Sequence, residues 1–514
     1  MDDSSSANKR IAKNTVALYI RMGISMIVTL YTSRVVLNVL GVEDYGIYGV
    51  VGGVVAMFSF LNATMSGATS RFLTFELGKD NKKDLRDTFG TAIIVHLLIA
   101  IAVFVLAETI GLWFLEKRLV IPDGRMMAAR WVYQFSILAM MITITQVPYN
   151  ASIISHERMD VYAYVELLNV ILKLAIVFLL KLGSWDKLVF YAILVFSVNA
   201  IIAFIYRFYC LSKFQECKFK FVWRKDILKP MLVFSGWDLY GNMCYTFEHQ
   251  GIGFLINMFH GVVFNAAASV ASSVQGVVAN ISANIIQAFR PQIVKNYAIG
   301  NFRRMEVLMF NGIKYSMLLF YLFSIPILFE TDTILYLWLG IVPEKASLFC
   351  QILLVASLCN LINRILGISI GATGDMKRIS IISGSIYLLC LPLIYLLFRV
   401  FELPSEFAYW SALITIVLVD IANMFILKKQ IPQLSVKQFL RGIFESTLIA
   451  IISAMVVVPI LFYMPNGIPR LIIVFVTYFL ILLLSTYLFG IDREMRSTIN
   501  AIAIRGFRRI ISKL

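Results

Sequence analysis

The sequence predicts an all-α integral membrane protein with about fourteen transmembrane helices. Of its 514 residues, 60% are apolar and only 15% are charged, and the mean hydropathy is +0.81. Soluble domains are about half apolar and a quarter charged. The apolar residues are gathered into runs of about 20 residues or more, which is the length that crosses a bilayer as a helix. Lipid leaves the backbone polar groups of such a run no partner outside the helix.

Fourteen apolar runs follow one another with short polar connections. They cover approximately residues 12–39, 45–77, 87–114, 128–152, 160–180, 187–209, 229–256, 262–289, 307–329, 346–372, 379–399, 406–427, 440–463 and 469–490. No connection has room for a soluble domain. The polar, basic start of the chain lacks the apolar core of a signal peptide, so we expect the first span to remain in the mature protein.

The basic residues predict the orientation of these spans. In a soluble protein a net charge of +16 would suggest a nucleic-acid partner, but membrane proteins keep Lys and Arg on the cytoplasmic side. With the N-terminus in the cytoplasm, the inner segments hold 31 Lys and Arg and the outer segments hold 9. We therefore expect both termini in the cytoplasm and no nucleic-acid partner. The ends of the helices on the side with few basic residues are called the predicted outer end below.

An internal repeat predicts the domain organisation. A shift of 219 residues places 34–90 on 253–309, with Asn38 on Asn257 and Arg71 on Arg290. Spans one and two then match spans seven and eight, so the halves have the same orientation and are related by an axis along the membrane normal. The predicted segments are a cytoplasmic N-terminus (1–11), a six-helix N-lobe (12–209), a basic cytoplasmic inter-lobe loop (210–228), a six-helix C-lobe (229–427), two extra C-terminal helices (440–490) and a basic amphipathic cytoplasmic tail (491–514).

Arginines inside or at the ends of spans are candidate substrate ligands. A charge in hydrocarbon is costly and usually faces a cavity or a partner, and the guanidinium fork suits phosphate groups. The alternatives are snorkelling to the interface, helix packing and, at the cytoplasmic ends, determination of topology. The candidate cationic cavity comprises Arg21, Arg34, Arg71, Arg290 and Arg364.

Polar stripes at helical spacing run along spans two, seven, eight and ten. Such stripes line a cavity or serve close helix packing, and both interpretations stay open. The candidate lining residues are Asn62, Asn242, Tyr245, Asn280, Asn284 and Asn360, and the candidate residues for coupling to H⁺ or Na⁺ are Asp238, Glu248 and Asp420. For Asp420 the alternative is a partner for a basic residue at the cytoplasmic end. Glu166 and Lys173 share a face of span five but lie about 10 Å apart along its axis, too far for direct pairing.

Motifs of enzymes and metal sites are missing from the sequence. No GxxxxGK[ST] or HExxH motif occurs, and the six cysteines show no spacing typical of metal or disulfide sites. The GxSxG match around Ser369 lies within an apolar span rather than on a strand-to-helix turn, so we interpret it as close helix packing. We expect neither an enzyme nor a metal or other cofactor.

The stretch LNVLGVEDYGIYGVVGGVVAMFSFLNATMSGATSRFLTFELGKDN resembles the opening of bacterial polysaccharide flippases. Their superfamily also contains the multidrug and toxin extrusion (MATE) transporters, and members often read R-x-x-L-x-x-x-G-x-x-x-Y-G at the end of span one. The matching residues here are Arg34, Leu37, Gly41, Tyr45 and Gly46, while Asn38 stands where an apolar residue is expected. Fourteen spans fit the lipid-linked oligosaccharide flippases, whereas drug exporters usually stop at twelve.

The resemblance implies a flippase with MATE-like lobes. It would move an undecaprenyl-pyrophosphate-linked repeat unit of a polysaccharide, such as the O-antigen of lipopolysaccharide, across the bacterial inner membrane by alternating access. Its implied partners are membrane lipids, this glycan, and a polysaccharide polymerase with chain-length machinery. Two alternatives stay open, a multidrug cation antiporter and a lipid II flippase of the same superfamily.

Overall fold

The computed structural model describes residues 2–78, 82–156, 158–182, 185–218, 224–491 and 496. All regular secondary structure in these ranges is helical. The α-helices are α1 (Asp2–Ala56), α2 (Ser59–Gly78), α3 (Lys82–Leu106), α4 (Leu112–Lys117), α5 (Met126–Ser155), α6 (Met159–Leu182), α7 (Lys187–Lys213), α8 (Lys225–His260), α9 (Val262–Ala298), α10 (Phe302–Phe329), α11 (Thr331–Leu339), α12 (Ala346–Thr373), α13 (Met376–Val400), α14 (Phe407–Gln430), α15 (Val436–Tyr463) and α16 (Ile468–Ser485). Shorter helical turns occupy Ala107–Gly111, Gln215–Cys217 and Thr486–Gly490.

Eleven helical stretches in the described ranges are long and apolar enough to cross a membrane. They confirm the predicted class, an all-α multi-pass membrane protein. Every predicted span falls on helical segments, but span two (45–77) is divided between α1 and α2, with a break at residues 57 and 58. The helices α2, α6 and α8 are not among the eleven stretches. The count of fourteen therefore stays a prediction.

Two glycines interrupt the helices with nearly the same backbone turn. α1 is broken at Gly41 (φ 80°, ψ 171°), and α8 ends at Gly261 (φ 89°, ψ −179°). Only glycine adopts this conformation readily, because it has no Cβ. The breaks lie 220 residues apart, one more than the 219-residue shift that the sequence suggested. They support an internal repeat, while the arrangement of two six-helix lobes stays a prediction.

Close contacts group the helices into two compact units. The first contains Met1–Ser273, Ile341–Phe349 and Met376–Thr415, and the second contains Val274–Gly340, Cys350–Asp375 and Ile416–Leu514. Within the first unit, the most extensive packing joins α8 to α13 and α5 to α7. Within the second unit, it joins α10 to α15.

The core of the first unit forms where the second segment of α1 (42–56) packs against α5. Ile47 and Val51 of α1 are fully buried with Tyr133 of α5. The Tyr133 hydroxyl donates a hydrogen bond of 2.6 Å to the carbonyl of Ala107, at the start of the π-helical turn after α3. A side chain at Gly111 would overlap the Tyr133 hydroxyl. The turn therefore makes room for a large buried side chain and hydrogen-bonds its polar tip.

Candidate functional site

The predicted cationic residues lie on four helices. Arg21 and Arg34 are on α1, Arg71 on α2, Arg290 on α9 and Arg364 on α12. The side chains of Arg34, Arg290 and Arg364 are exposed, whereas those of Arg21 and Arg71 lie outside the described residues. Arg34 belongs to the first unit, and Arg290 and Arg364 belong to the second. Their grouping in one cationic cavity stays a prediction.

The polar stripe predicted on span seven lies on α8. Asn242 is partly buried, and Glu248 is only 6% exposed. The ring of Tyr245 meets the edge of Tyr387 on α13, with centroids 5.4 Å apart. The side chain of Asp238 lies outside the described residues. Part of this stripe therefore faces a neighbouring helix.

Small and hydroxyl residues bring α8 and α13 close together. The hydroxyls of Tyr240 and Ser385 are 3.0 Å apart, and a side chain at Gly241 would lie 3.4 Å from the Ser380 hydroxyl. A side chain at Gly384 would approach Tyr240 to 3.0 Å. Interhelical polar packing, one of the two interpretations of the stripe, accounts for this part of it.

In the second unit, Asp420 of α14 is 8% exposed. It lines a largely apolar cavity of about 360 Å³ together with Lys428, and its Oδ1 has no hydrogen-bond partner among the described residues. A buried carboxylate without full hydrogen bonding is costly. This environment suits a carboxyl group that binds and releases a cation. Asp420 therefore stays a candidate for coupling transport to H⁺ or Na⁺.

The remaining lining candidates are spread over three helices. Asn360 of α12 is partly buried, and its Nδ2 donates to the carbonyl of Ala356 at 3.3 Å. Asn280 of α9 is exposed. The side chains of Asn62 and Asn284 lie outside the described residues. A role for these amides in a common vestibule stays a prediction.

One intramembrane ion pair was missed by the sequence reasoning. Lys314 of α10 is 4% exposed, and its Nζ lies 2.6 Å from Oε2 of Glu445 on α15. Arg441 contacts the other oxygen of the same carboxylate at 2.7 Å. Opposite charges within spans nine and thirteen were a visible signal, but pairing them requires knowing that α10 packs on α15. Loss of Glu445 would leave the buried charge of Lys314 uncompensated.

A polar cavity of about 290 Å³ lies in the first unit between α1, α6 and α7. It contains one acidic and one basic side chain, Glu166 and Lys173, on the face of α6 that the sequence indicated. The other polar walls had no sequence signal, because they come from helices whose contacts were unknown. They are Thr29, Thr32, Ser33 and Tyr48 of α1 and Tyr191 and Asn199 of α7.

An ion triad ties three helices at the predicted outer end. Arg125, directly before α5, hydrogen-bonds both oxygens of Asp44 on α1, at 2.8 and 2.5 Å. The same guanidinium contacts Asp186, directly before α7, at 2.5 Å. Asp186 also caps α7 by accepting from the backbone N–H groups of Leu188 and Val189. The Arg125 triad (Arg125, Asp44, Asp186) thus fixes the starts of α5 and α7 to α1.

A buried amide pins the outer loop before α5 to the α8–α9 turn. The side chain of Asn257, fully buried, accepts from the backbone N–H of Val120 at 2.7 Å and donates to the carbonyl of Val120 at 3.1 Å. Its Nδ2 also approaches Oδ1 of Asn265 at 3.1 Å, and Asn265 donates to the carbonyl of Gly253 at 2.7 Å. This Asn257 clasp satisfies polar groups that would otherwise be buried without partners.

Glycines let α1 and α9 cross at the same end. A side chain at Gly46 would overlap the backbone carbonyl of Val262, and one at Gly49 would lie 2.5 Å from the Ser269 hydroxyl. Small residues permit such close approach in membrane proteins. Together with the triad and the clasp, the crossing closes the predicted outer end of the first unit.

No protein-family model matches the sequence, and no curated protein matches it either. Solved structures do match. The lipid II flippase MurJ in an inward closed conformation aligns over 92% of this chain and 98% of its own, with a TM-score of 0.69 and 12% identity. An inward-facing multidrug resistance MATE family transporter of the MOP superfamily aligns over 81% and 99%, with a TM-score of 0.61 and 14% identity.

A third match is a MOP superfamily transporter from Pyrococcus furiosus whose binding pocket has reversed polarity. It aligns over 81% of this chain and 95% of its own, with a TM-score of 0.59 and 15% identity. Similarity at such low identity establishes the fold alone. The protein is a multi-pass membrane protein with the fold of the MOP superfamily transporters.

Proposed function

We propose that the protein is a flippase that moves an undecaprenyl-pyrophosphate-linked oligosaccharide from the inner to the outer leaflet of the bacterial inner membrane. The observation that carries the proposal is the extent of the fold match. The lipid II flippase aligns over 92% of this chain, whereas the MATE transporter aligns over 81%. More of this chain is therefore shared with a flippase than with a multidrug transporter.

The charges within the spans suit an anionic, sugar-bearing substrate. A pyrophosphate inside a membrane requires compensating cations, and arginine binds phosphate through two parallel hydrogen bonds. Arg21, Arg34 and Arg364 are the proposed ligands within the spans, and Arg71 and Arg290 receive the headgroup at the predicted cytoplasmic ends. Amide and hydroxyl groups of the polar stripes would bind the sugars. A multidrug cation antiporter would instead require a predominantly acidic cavity.

The closed outer end supports a cytoplasmic entry route. The Arg125 triad, the Asn257 clasp and the Gly49 crossing all join helices of the first unit at the predicted outer end. Substrate would enter from the cytoplasmic side, and opening of these contacts would release it outside. A proton or sodium gradient would drive the cycle through Asp238, Glu248 or Asp420. A polysaccharide polymerase and chain-length machinery are the proposed partners that take over the product.

A lipid II flippase is the second candidate function, because the same structural match favours it. The two functions differ in the glycan rather than in the mechanism. A multidrug antiporter is the third candidate, supported by the MATE matches. All three are transporters, and we propose no enzymatic activity.

Deletion of the gene tests the proposal directly. We expect undecaprenyl-linked repeat units to accumulate inside the cell and the surface polysaccharide to disappear, with both effects reversed by the restored gene. Accumulated lipid II with loss of cell-wall synthesis would select the second candidate. Normal surface glycan together with raised sensitivity to cationic drugs would refute the flippase and select the antiporter.

A further inference from the structure

The polar cavity between α1, α6 and α7 is not lined by Arg34, Arg290 or Arg364, the three predicted arginine ligands whose side chains the structure describes. One face of α6 supplies Glu166, Val170 and Lys173, at the spacing of successive helical turns. Among the described residues the cavity therefore has one negative and one positive wall group, whose charges sum to zero. This balance distinguishes it from a site for a bare ion of either sign.

Glu166 is partly buried and Lys173 is exposed. Within the part of the chain that the structure describes, neither Glu166 nor Lys173 makes an ion pair or hydrogen bond. The hydroxyl of Thr32, which lines the same cavity, is buried and also has no hydrogen-bond partner among those residues. A buried hydroxyl without a partner beside a partly buried carboxylate usually marks a site for a ligand or for water.

Aromatic rings form another part of the wall. Tyr48 of α1 and Tyr191 of α7 meet edge to face, with centroids 4.8 Å apart. Asp44 precedes Tyr48 by about one helical turn, and Asp186 precedes Tyr191 by little more. The Arg125 triad therefore lies beyond the tyrosines toward the predicted outer end.

The volume limits the occupant. Pockets for drug-sized ligands measure about 300 to 1,000 Å³, so a cavity of about 290 Å³ holds a group the size of a single sugar ring rather than a whole repeat unit. Sugars offer hydroxyls that donate to a carboxylate and accept from an ammonium, and their apolar ring faces pack on aromatic side chains.

We propose that this cavity binds one uncharged, hydroxyl-rich sugar residue of the transported glycan. This proposal rests on the flippase function proposed above and adds a sugar site to its arginine ligands. Glu166 would accept hydrogen bonds from sugar hydroxyls, and Lys173 would donate to sugar oxygens two helical turns away. Asn199 and Thr32 would complete the polar contacts. A phosphate would be repelled by Glu166, and a cation by Lys173.

The test measures binding of neutral methyl glycosides to the full-length protein in lipid nanodiscs, by saturation-transfer NMR titration. Glu166→Gln and Lys173→Gln should each weaken glycoside binding by about tenfold or more, as expected for loss of a hydrogen bond to a charged group. Lys173→Arg keeps the charge and should retain most of the affinity. The matched control is Lys181→Gln, on the same helix but outside the cavity, and it should bind like the wild type.

A second measurement separates this proposal from the flippase function. Flipping of the lipid-linked glycan is assayed with the same proteins in vesicles. Active flipping by the wild type with no glycoside binding, or with equal binding by all variants, would overturn the sugar site and leave the flippase intact. Binding of ²²Na⁺ that is lost in Glu166→Gln while glycoside binding is unchanged would also overturn it in favour of a cation site. If the wild type flips no lipid-linked glycan, the flippase function itself fails.

Discussion

Single charged side chains at the predicted outer end hold helix starts that are distant in sequence. Arg125 reaches Asp44 and Asp186, which are 81 and 61 residues away. The hydrogen bond that Arg125 donates to Asp186 is the largest contribution to a raised pKa of Arg125. Burial would raise the pKa of Asp186, but hydrogen bonds from Arg125 and from the backbone of α7 outweigh it, and the pKa is lowered. Both groups therefore stay charged under physiological conditions.

Asp186→Asn should reduce the stability of the protein at neutral pH. It should also make that stability less dependent on pH in the acidic range. Because folding lowers the Asp186 pKa, its contribution is present above the ordinary value of 3.8 and is lost as the pH falls through the lowered value. The effect should be about 1 kcal/mol or less, since the pair is partly exposed. Thermal unfolding of the purified protein between pH 7 and pH 3 measures it. Glu402→Gln, an exposed change at the same end, is the control, and an identical pH profile for both variants would contradict the prediction.

Arg21→Ala should abolish surface polysaccharide without changing the amount of protein in the membrane. The reason is that a span that buries the pyrophosphate needs the guanidinium charge. Arg21→Lys should be partly active if two parallel hydrogen bonds are required, and fully active if charge alone is sufficient. Arg399→Ala, an exposed change in the last turn of α13, is the matched control. Unchanged polysaccharide in Arg21→Ala would remove this residue from the site.

At the scale of helices, small residues determine which spans meet. Gly46 and Gly49 allow α1 to lie against the start of α9, and Gly241 and Gly384 do the same for α8 and α13. Without a hydrophobic driving force in lipid, such packing and interhelical hydrogen bonds drive association. Crossings built on small residues leave few bulky side chains to separate, which suits contacts that must open and close.

A disulfide between positions 49 and 269 should hold the outer end closed. A Cβ built at Gly49 lies 3.8 Å from the Cβ of Ser269, which is the mean separation in disulfides. In the Gly49→Cys, Ser269→Cys double variant, a lipid-soluble oxidant should form the bond and stop flipping, and a reductant should restore it. Each single variant is a control. Flipping at the wild-type rate by the fully cross-linked protein would show that this crossing does not open during transport.

The positions of the helices were largely predictable, but their neighbours were not. A helix that is buried in lipid is rich in apolar residues. Runs of such residues therefore locate most helices without knowledge of the fold. The break at Gly41 was part of a recognised motif. In contrast, the pair formed by Lys314 and Glu445 depends on α10 meeting α15, and local periodicity contains no information about that contact.

At the scale of the molecule, the fold class agrees with what the composition predicted. Hydropathy indicated a multi-pass helical protein, and the structural matches extend over 81–92% of the chain. The candidate site was less predictable, because a cavity is made by several helices at once. Glu166 and Lys173 were recognisable as one face of a span, while Tyr48, Tyr191 and Asn199 became its neighbours only through the packing of α1 and α7.

The predicted orientation can be measured in whole cells. A cysteine at Asp123, in the outer loop, should react with a membrane-impermeant thiol reagent in intact cells, because the few basic residues on that side place it outside. A cysteine at Arg303 should react only after the membrane is permeabilised. The unsubstituted protein measures the background from its six native cysteines. Reaction of Arg303→Cys in intact cells would show that the orientation is opposite to the predicted one.

The Asn257 clasp has a consequence for mutational tolerance. Asn257 hydrogen-bonds to residue 120 through the backbone of that residue alone, and Val120 is 50% exposed. In a saturation library selected for surface polysaccharide, position 120 should accept almost every residue except proline, which lacks the N–H that the clasp requires. Position 257 should accept almost none, since no other side chain of this length presents both a donor and an acceptor there. Two residues joined by the same hydrogen bonds would thus evolve under opposite constraints, one nearly free to vary and the other nearly fixed.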